Sequence, residues 1–467
     1  MSEVRIATMD GAGTALSSST VNALRGELRG ALIAPVDAGY DETRKVWNGM
    51  IDRRPSLIAR CGGVADVIAA VRFALEHELL VSVRGGGHNT PGIAVCEGGL
   101  MIDLAGLRSV RVDPKRQLAR AEGGTTWSEF DRETQAFGLA TTGGAISHTG
   151  IGGLTLGGGF GWLSGKYGLA CDNLVSVDLI TAEGTMITAS ADENPELFWG
   201  LRGGGGNFGI AASLEYRLYS VGPLLAGPVM YPFAKAQEAL GLYRDFAVVI
   251  PDEVNTLAVL MNSAEGEPLA AVVLGHNGSI EAGEKIFRPL RGFGPPVADL
   301  VAPMPYRQLQ TLFDESFARG RRYYFKSNFV RSISDEAIAT LIEQFAKAPS
   351  KLSIVYFQQL GNAVGRLGPG ETAFSHRDAL CELGCDAVWL DPAEDTLNIS
   401  WARQVAKAMR PFTSGSDYVN HIGLESEEGR DRIKAAFGAN YDRLVSLKNR
   451  YDPTNLFRHN QNIKPTV

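Results

Sequence analysis

Residues 84–92 read Arg-Gly-Gly-Gly-His-Asn-Thr-Pro-Gly, which sets His88 directly behind three glycines. A glycine run lets a backbone approach a bound group closely. A histidine at its end is either a polar turn residue or a reactive imidazole aimed at whatever the turn holds. The rest of the chain bears on that choice, because its 55 glycines are unevenly spread. They gather at 85–87, 143–144, 150–161 and 203–209, and residues 141–169 alone hold eleven in twenty-nine positions. Each glycine inside a helix or strand costs up to about 1 kcal/mol relative to alanine, so such density does not build regular structure. It fits a place where backbone N–H groups converge on an anion such as a pyrophosphate. The bland alternative is a set of tight turns in a small β-rich domain. Four clusters within one domain's length favour a phosphate-bearing ligand. A dinucleotide site of the Rossmann type fails on detail, because these glycines run into Pro91 and further turn residues instead of opening a helix. No Walker A pattern is present.

The elements that must position these residues follow from local pattern. "SLIARCGG" opens with a strand, and a helix follows with Val64, Val67, Ile68, Val71 and Leu75 on one face. "LLVSVR" is a strand leading into the first glycine run. "LMIDLAGLRSVRVD" and "QLARAEGG" are further strands, "TWSEFDRETQAFG" a helix with Trp127, Phe130 and Phe137 inward, and "SVDLITAEGTMITAS" two strands joined at Glu-Gly. Gly222-Pro223 marks a boundary. Beyond it glycine thins out, and helices such as "DEAIATLIEQFAKA" alternate with strands such as "LAVLM", "LAAVVLG", "YYFKSNFV" and "KLSIVYFQQLG". That texture predicts a second α+β unit with a mostly antiparallel sheet.

Composition narrows the function class. Of 467 residues, 45% are hydrophobic and 21% charged, which is ordinary globular composition, and the net charge of -7 offers nothing to nucleic acid. The first twenty residues lack a basic stretch followed by an apolar one, and no apolar run is long enough to span a bilayer; we expect a cytoplasmic protein without membrane contact. Cys61, Cys96, Cys171, Cys381 and Cys385 are odd in number and scattered, which predicts reduced thiols and no metal site; Cys381 and Cys385 are expected as small buried hydrophobes.

Four stretches taken together resemble a known family: "RGGGHNTPG", "GGLTLGGGFGWLSGKYGLACDNLVSVDLITAEG", "ELFWGLRGGGGNFGI" and the closing "YDPTNLFRHNQNI". They are similar to the berberine-bridge-enzyme-like branch of the vanillyl-alcohol oxidase / p-cresol methylhydroxylase flavoproteins, in family order over nearly the whole chain. "ISHTGIGG" and "SDYVNHIG" are most similar to bacterial secondary-metabolism members. The resemblance implies a two-domain α+β fold of the p-cresol methylhydroxylase type. Residues 1–222 (core about 50–222) would bind FAD, 223–415 would form the substrate domain, and 416–467 would return to the FAD domain. It also implies that His88 is joined covalently to the flavin 8α-methyl. The cofactor cradle carried over comprises Arg84, Gly85, Gly86, Gly87, Asn89 and Gly92 in the first motif. The second supplies Thr142, Gly143, Ser147, His148, Thr149, Gly152, Gly153, Gly158 and Gly159; Asn207, Gly209 and Ile210 follow from the third. In the closing motif Asn460, Gln461 and Asn462 would place their amides against the flavin. Asp172 and Asn173 would hold the glycine loop in shape.

Departures from the family pattern are as informative. Many relatives add a second link from a cysteine, and Ile146 stands where that cysteine would be, so His88 is expected to be the sole covalent anchor. Thr149 occupies the family's oxygen-gate position, where small residues accompany oxidases; with His148 it makes the expected pocket polar. A Tyr-x-Asn-Tyr motif of some relatives appears here as Tyr418, Val419, Asn420 and His421. An imidazole with an ordinary pKa near roughly 6.5 can act as general base at neutral pH, so His421 is the candidate base, with Tyr418 beside it and Asn420 in the substrate pocket. Hydrogen bonding to the flavin edge is an equal alternative for His421. Alternation along "KLSIVYFQQLG" places Val355, Phe357 and Gln359 on one face and Ile354, Tyr356 and Gln358 on the other, and the second set is the expected substrate roof, with Tyr356 an alternative base. Tyr323 and Lys326 are further pocket candidates.

These readings converge on an FAD-dependent oxidase acting with O2 on a small natural product, alcohol or amine, as monomer or homodimer. An oxygenase working through a flavin–oxygen adduct beside Thr149 and a non-redox scaffold flavoprotein are the alternatives.

Overall fold

The computed structural model describes residues 3–423 and 429–467. The strand Val81–Arg84, which delivers the glycine run to His88, lies at one side of a four-stranded sheet ordered Ala31–Ile33, Leu57–Arg60, Leu100–Asp103, Val81–Arg84. Leu57–Arg60, Leu100–Asp103 and Val81–Arg84 run parallel, and the helix Val64–Glu76 makes the crossover from the first to the last. Its buried face is Val67, Ala70, Val71, Phe73 and Ala74; Val64, Ile68 and Leu75 sit only at the margin. A five-stranded antiparallel sheet follows, ordered Met186–Ser190, Leu174–Ile180, Ile210–Arg217, Leu118–Glu122, Val110–Asp113. Its first hairpin turns at Glu183-Gly184, where Gly184 takes φ +69°, a conformation that favours glycine.

The helix Trp127–Gln135 starts at a capping box between Thr126 and Glu129 and buries Trp127 and Phe130 completely. Phe137, expected inward, is 54% exposed. It lies one residue beyond the helix C-cap, in the turn before left-handed Gly138, so helical spacing no longer sets its direction.

Strands from Leu224 to Trp389 form one eight-stranded antiparallel sheet. Its order is Ala298–Asp299, Leu224–Pro232, Pro268–His276, Val254–Asn262, Ile354–Gln359, Cys381–Trp389, Arg322–Val330, with Ala302–Met304 paired alongside Leu224–Pro232. One face, carrying Val355 and Phe357, packs under the helices Ala236–Ala247, Asp335–Phe345 and Asp395–Met409. Tyr356, Leu257 and Val259 occupy the other. The strand Cys381–Trp389 is buried at all nine positions, and Cys381 and Cys385 are packed as small hydrophobes on the helix-covered face. The C-terminal chain is bound to the N-terminal half. Buried Lys448 reaches Asp452 at 2.7 Å and donates to the carbonyls of Asn207 and Phe457, while Leu456 and Phe457 join the core around Val81–Arg84.

Candidate active site

A cavity of about 370 Å³ lies between the glycine clusters and the uncovered face of the eight-stranded sheet. Two glycine clusters meet at its wall: a Cβ on Gly86 would lie 2.4 Å from the Gly150 nitrogen, and one on Gly150 would lie 2.5 Å from that of Gly86. Glycine is therefore required at both, because backbone meets backbone. His88 emerges here, stacked on Trp47 at 4.1 Å, and Trp47 stacks in turn on Tyr323 at 3.7 Å. His88 Nε2 lies 3.0 Å from His148 Nδ1. Burial, then the His148 charge, holds the His88 imidazole well below its ordinary pKa. The ring is thus kept neutral, the state in which a nitrogen lone pair can bond to carbon.

The cavity wall includes Gly85, Gly86, Gly87, Asn89, Ile146, Thr149, Gly152 and Gly153 from the first two motifs and Asn207, Gly209 and Ile210 from the third. Asn460 and Gln461 from the closing motif also line it. Cβ atoms built at Gly153 and Gly206 meet nothing within 4 Å, and both residues line the cavity, so a side chain there would take up ligand space. A wall of bare backbone with amides at its rim and an apolar middle fits FAD: N–H groups for the pyrophosphate, apolar surface for the ring, amide groups for its carbonyls.

Several expected cradle residues stand elsewhere. The Arg84 guanidinium is spent on Asp103 at 2.6 Å and on the carbonyls of Thr43 and Lys45. Gly92 backs onto Ile51, and Gly143 onto the Trp127 ring. Thr142 is wholly buried. The Ser147 hydroxyl donates to Asp314 at 2.5 Å, and its N–H donates to the same carboxylate. His148 stands behind His88, not in the wall. Gly158 and Gly159 admit Phe374 and Leu154, so they serve packing. Asn462 is buried off the wall, while the neighbouring Ile463 N–H is held by the Asn207 side chain at 3.0 Å. Among the expected pocket residues, Lys326 lies on the helix-covered face, because the register pairs it with Cys385; its ammonium sits over the Tyr324 ring at 4.9 Å. Tyr323 donates its hydroxyl to the Ala318 carbonyl and supports Trp47 from behind.

Tyr356, Gln358, Tyr418, Asn420 and His421 all line the cavity. The Tyr418 oxygen accepts from the Gly159 N–H at 2.9 Å and the Asn420 amide at 2.8 Å, and Asn420 also donates to the Leu154 carbonyl. A Cβ on Gly157 would lie 2.1 Å from the Asn420 amide oxygen, so part of the glycine run exists to admit this tie. His421 Nδ1 lies 2.7 Å from Glu382 Oε1, and Glu382 is fully buried. Burial alone would lower the His421 pKa, but the charge and hydrogen bond of Glu382, with Asp386 adding, raise it above its ordinary value. Trp47, Glu382 and Asp386 had no sequence signal of their own.

Fold and cavity define a flavoprotein oxidoreductase, and comparison with known proteins agrees. The FAD binding domain model matches residues 55–190, and the berberine and berberine-like model matches 417–464. (R)-6-hydroxynicotine oxidase of Paenarthrobacter nicotinovorans is 34% identical over 452 residues, covering 94% of this chain and 97% of that protein. An FAD-linked oxidoreductase of Dictyostelium discoideum is 30% identical over 425 residues, covering 90% of this chain and 91% of the relative. The crystal structure of 6-hydroxy-D-nicotine oxidase from Arthrobacter nicotinovorans superposes with a TM-score of 0.85 at 32% identity, over 94% of this chain and 98% of that one. Berberine bridge enzyme from Eschscholzia californica, at 23% identity, shares the fold with a TM-score of 0.86, over 96% of this chain and 99% of that one. The chain belongs to the berberine-bridge-like family of FAD-linked oxidoreductases. Among the described residues no helix is long and apolar enough to cross a membrane, and no group of three or more His, Cys, Asp or Glu could hold a metal ion.

Proposed function

We propose that this enzyme is an oxidase whose FAD is attached through His88 alone and whose small-molecule substrate binds under the face of the sheet that carries Tyr356. The carrying observation is a half-buried imidazole, held well below its ordinary pKa, in the cavity wall where two glycine clusters touch, with Ile146 and no cysteine lining the same wall. Bound FAD would accept two electrons from the substrate and return them to O2. Gly85, Gly86, Gly150, Gly153, Gly206 and Asn207 would hold it, Trp47 would fix the His88 ring, and at the rim Gln461 would donate while the unpartnered Asn460 Oδ1 would accept.

His421 is the proton acceptor in this reading. Its Nδ1 faces Glu382, so the neutral ring donates there and carries its lone pair on Nε2. Tyr356 is less suited: burial, then the charges of Asp386 and Glu382, push its phenol well above its ordinary pKa, which leaves it a hydrogen-bond donor. Tyr418 is raised by burial and accepts two hydrogen bonds, so it holds the glycine loop and orients Asn420. Thr149, short and in the wall, leaves room for O2. The name of the nicotinovorans relative, an oxidase, supports the acceptor.

Acid precipitation of the purified protein tests the tether: a yellow pellet is expected from the wild type and a colourless one from His88→Ala, and a colourless wild-type pellet refutes the covalent link. Reduced enzyme should reoxidise promptly in air, and slow reoxidation would refute the O2 assignment.

A further inference from the structure

The inner roof of the cavity carries a charge arrangement that the redox reading does not use. In the antiparallel pair of Ile354–Gln359 with Cys381–Trp389, Ile354 faces Asp386, Tyr356 faces Gly384 and Gln358 faces Glu382. Residues directly opposite share one face of a sheet, so Glu382, Gly384 and Asp386 all point to the cavity side. Gly384 makes room for Tyr356: a Cβ there would lie 2.0 Å from the ring. On the other flank Asp386 pairs with Phe325, and the next strand inward contributes Leu257, Val259 and Met261 to the wall. An apolar chamber thus ends at Asp386, with Glu382 fully buried on the same face of the strand and engaged with His421.

Those two carboxyls meet a single imidazole. Glu382 is engaged with His421. Asp386 lines the cavity, is 3% exposed, and its Oδ1 has no hydrogen-bond partner among the described residues. Among the described residues that line the cavity it is the sole carboxylate, and none of them is a lysine or arginine. A buried acceptor left without a donor is costly, and a ligand that brings a charged donor removes that cost. We propose that Asp386 is the docking carboxylate for a positively charged nitrogen, so that the substrates of this enzyme are small amines with an apolar body.

Burial, then the Glu382 charge, raises the Asp386 carboxyl to about 8, against the pull of His421 from the C-terminal segment. Tyr356 across the strand pair is neutral, and Phe325 on the other side is apolar. His421, when protonated, is balanced by Glu382, and a bound ammonium would take the place of the proton that Asp386 otherwise holds.

This inference rests on the flavoprotein reading but has its own readout. Holoenzyme is titrated anaerobically with matched pairs, benzylamine against benzyl alcohol and 2-phenylethylamine against 2-phenylethanol, and binding is read from the visible flavin spectrum. The amines should bind at least ten times more tightly than their alcohols, and Asp386→Asn should abolish that preference while changing alcohol affinity less than twofold. Alcohols that bind as well as amines, or an amine preference unchanged in Asp386→Asn, would overturn the subsite. The wild-type comparison needs no variant, so it stands even where the substitution disturbs folding. A yellow acid pellet together with absent amine preference would refute the subsite alone; a colourless pellet with the preference intact would refute only the tether.

Discussion

The two walls of the cavity are built on opposite principles. On the His88 side the wall is backbone: Gly86 and Gly150 touch, Gly153 and Gly206 open onto space, and the His88 imidazole is held well below its ordinary pKa. The sheet side is side chain, with Asp386, His421 and the Tyr356 ring set over an apolar bed and Glu382 buried behind His421. A cofactor shared by a whole family needs a fixed cradle, and backbone supplies one that tolerates no substitution. A substrate pocket must be retuned, and alternating strand positions allow that without moving the sheet. The contrast predicts that cradle changes act on folding and cofactor content, whereas roof changes act on pH profiles and binding preference.

The largest effect should come from the cradle. Gly150→Val places a branched side chain where even a Cβ lies 2.5 Å from the Gly86 nitrogen. Backbone on both sides leaves nothing to yield, so we expect a loss of ~3 kcal/mol or more and little bound flavin. Flavin-to-protein absorbance and thermal unfolding measure both, and a variant with full flavin content would break the contrast between the walls.

Next in size is the roof pair. Glu382→Gln keeps the hydrogen-bonding shape but removes the charge that raises His421. The acid limb of kcat/KM, which climbs as His421 loses its proton, should shift to lower pH by about one unit, since a nearby opposite charge moves a pKa by roughly one to three. Flavin content should not change. An unmoved limb would remove His421 from the role of base.

How far the sequence reaches divides along the same line. Glycine clusters speak through conformation, which composition exposes, so the cradle around His88 and the motif order were legible. Within the clusters, glycines that line the cavity could not be told from glycines that admit Asn420, Phe374 or Leu154, because both needs read alike. Ile354, Tyr356 and Gln358 were legible because the period of two survives in that strand. The neighbouring strand carries the same signal, since Cys381, Leu383, Cys385 and Ala387 alternate with Glu382, Gly384 and Asp386, but the roles of Glu382 and Asp386 depend on pairing with Gln358, Ile354 and Phe325, which local pattern does not give. Trp47 stayed invisible because its stacking on His88 depends on a contact forty-one positions along the chain. Lys326 was misplaced because a register is set by pairing partners, here Cys385, and one residue's slip reverses the face.

The smallest effect lies in the stability of the roof itself. Asp386 ionises near its ordinary value of 3.8 in the unfolded chain, while burial and then Glu382 hold it protonated to about 8 in the folded one. Between those values the folded state binds more protons than the unfolded state, so stability falls as pH rises from about 4 to about 8. His421, raised by Glu382, adds a loss of the same sign once pH passes its ordinary value. Asp386→Asn removes the first decline and leaves the second. The variant should therefore gain steadily on the wild type as pH rises toward 8, and the two should converge near pH 4. Urea unfolding of the flavin-loaded proteins at both pH values reads the difference. A wild type as stable as the variant at pH 8 would mean that Asp386 already has a partner in the folded state, and that the roof carries no unmatched charge.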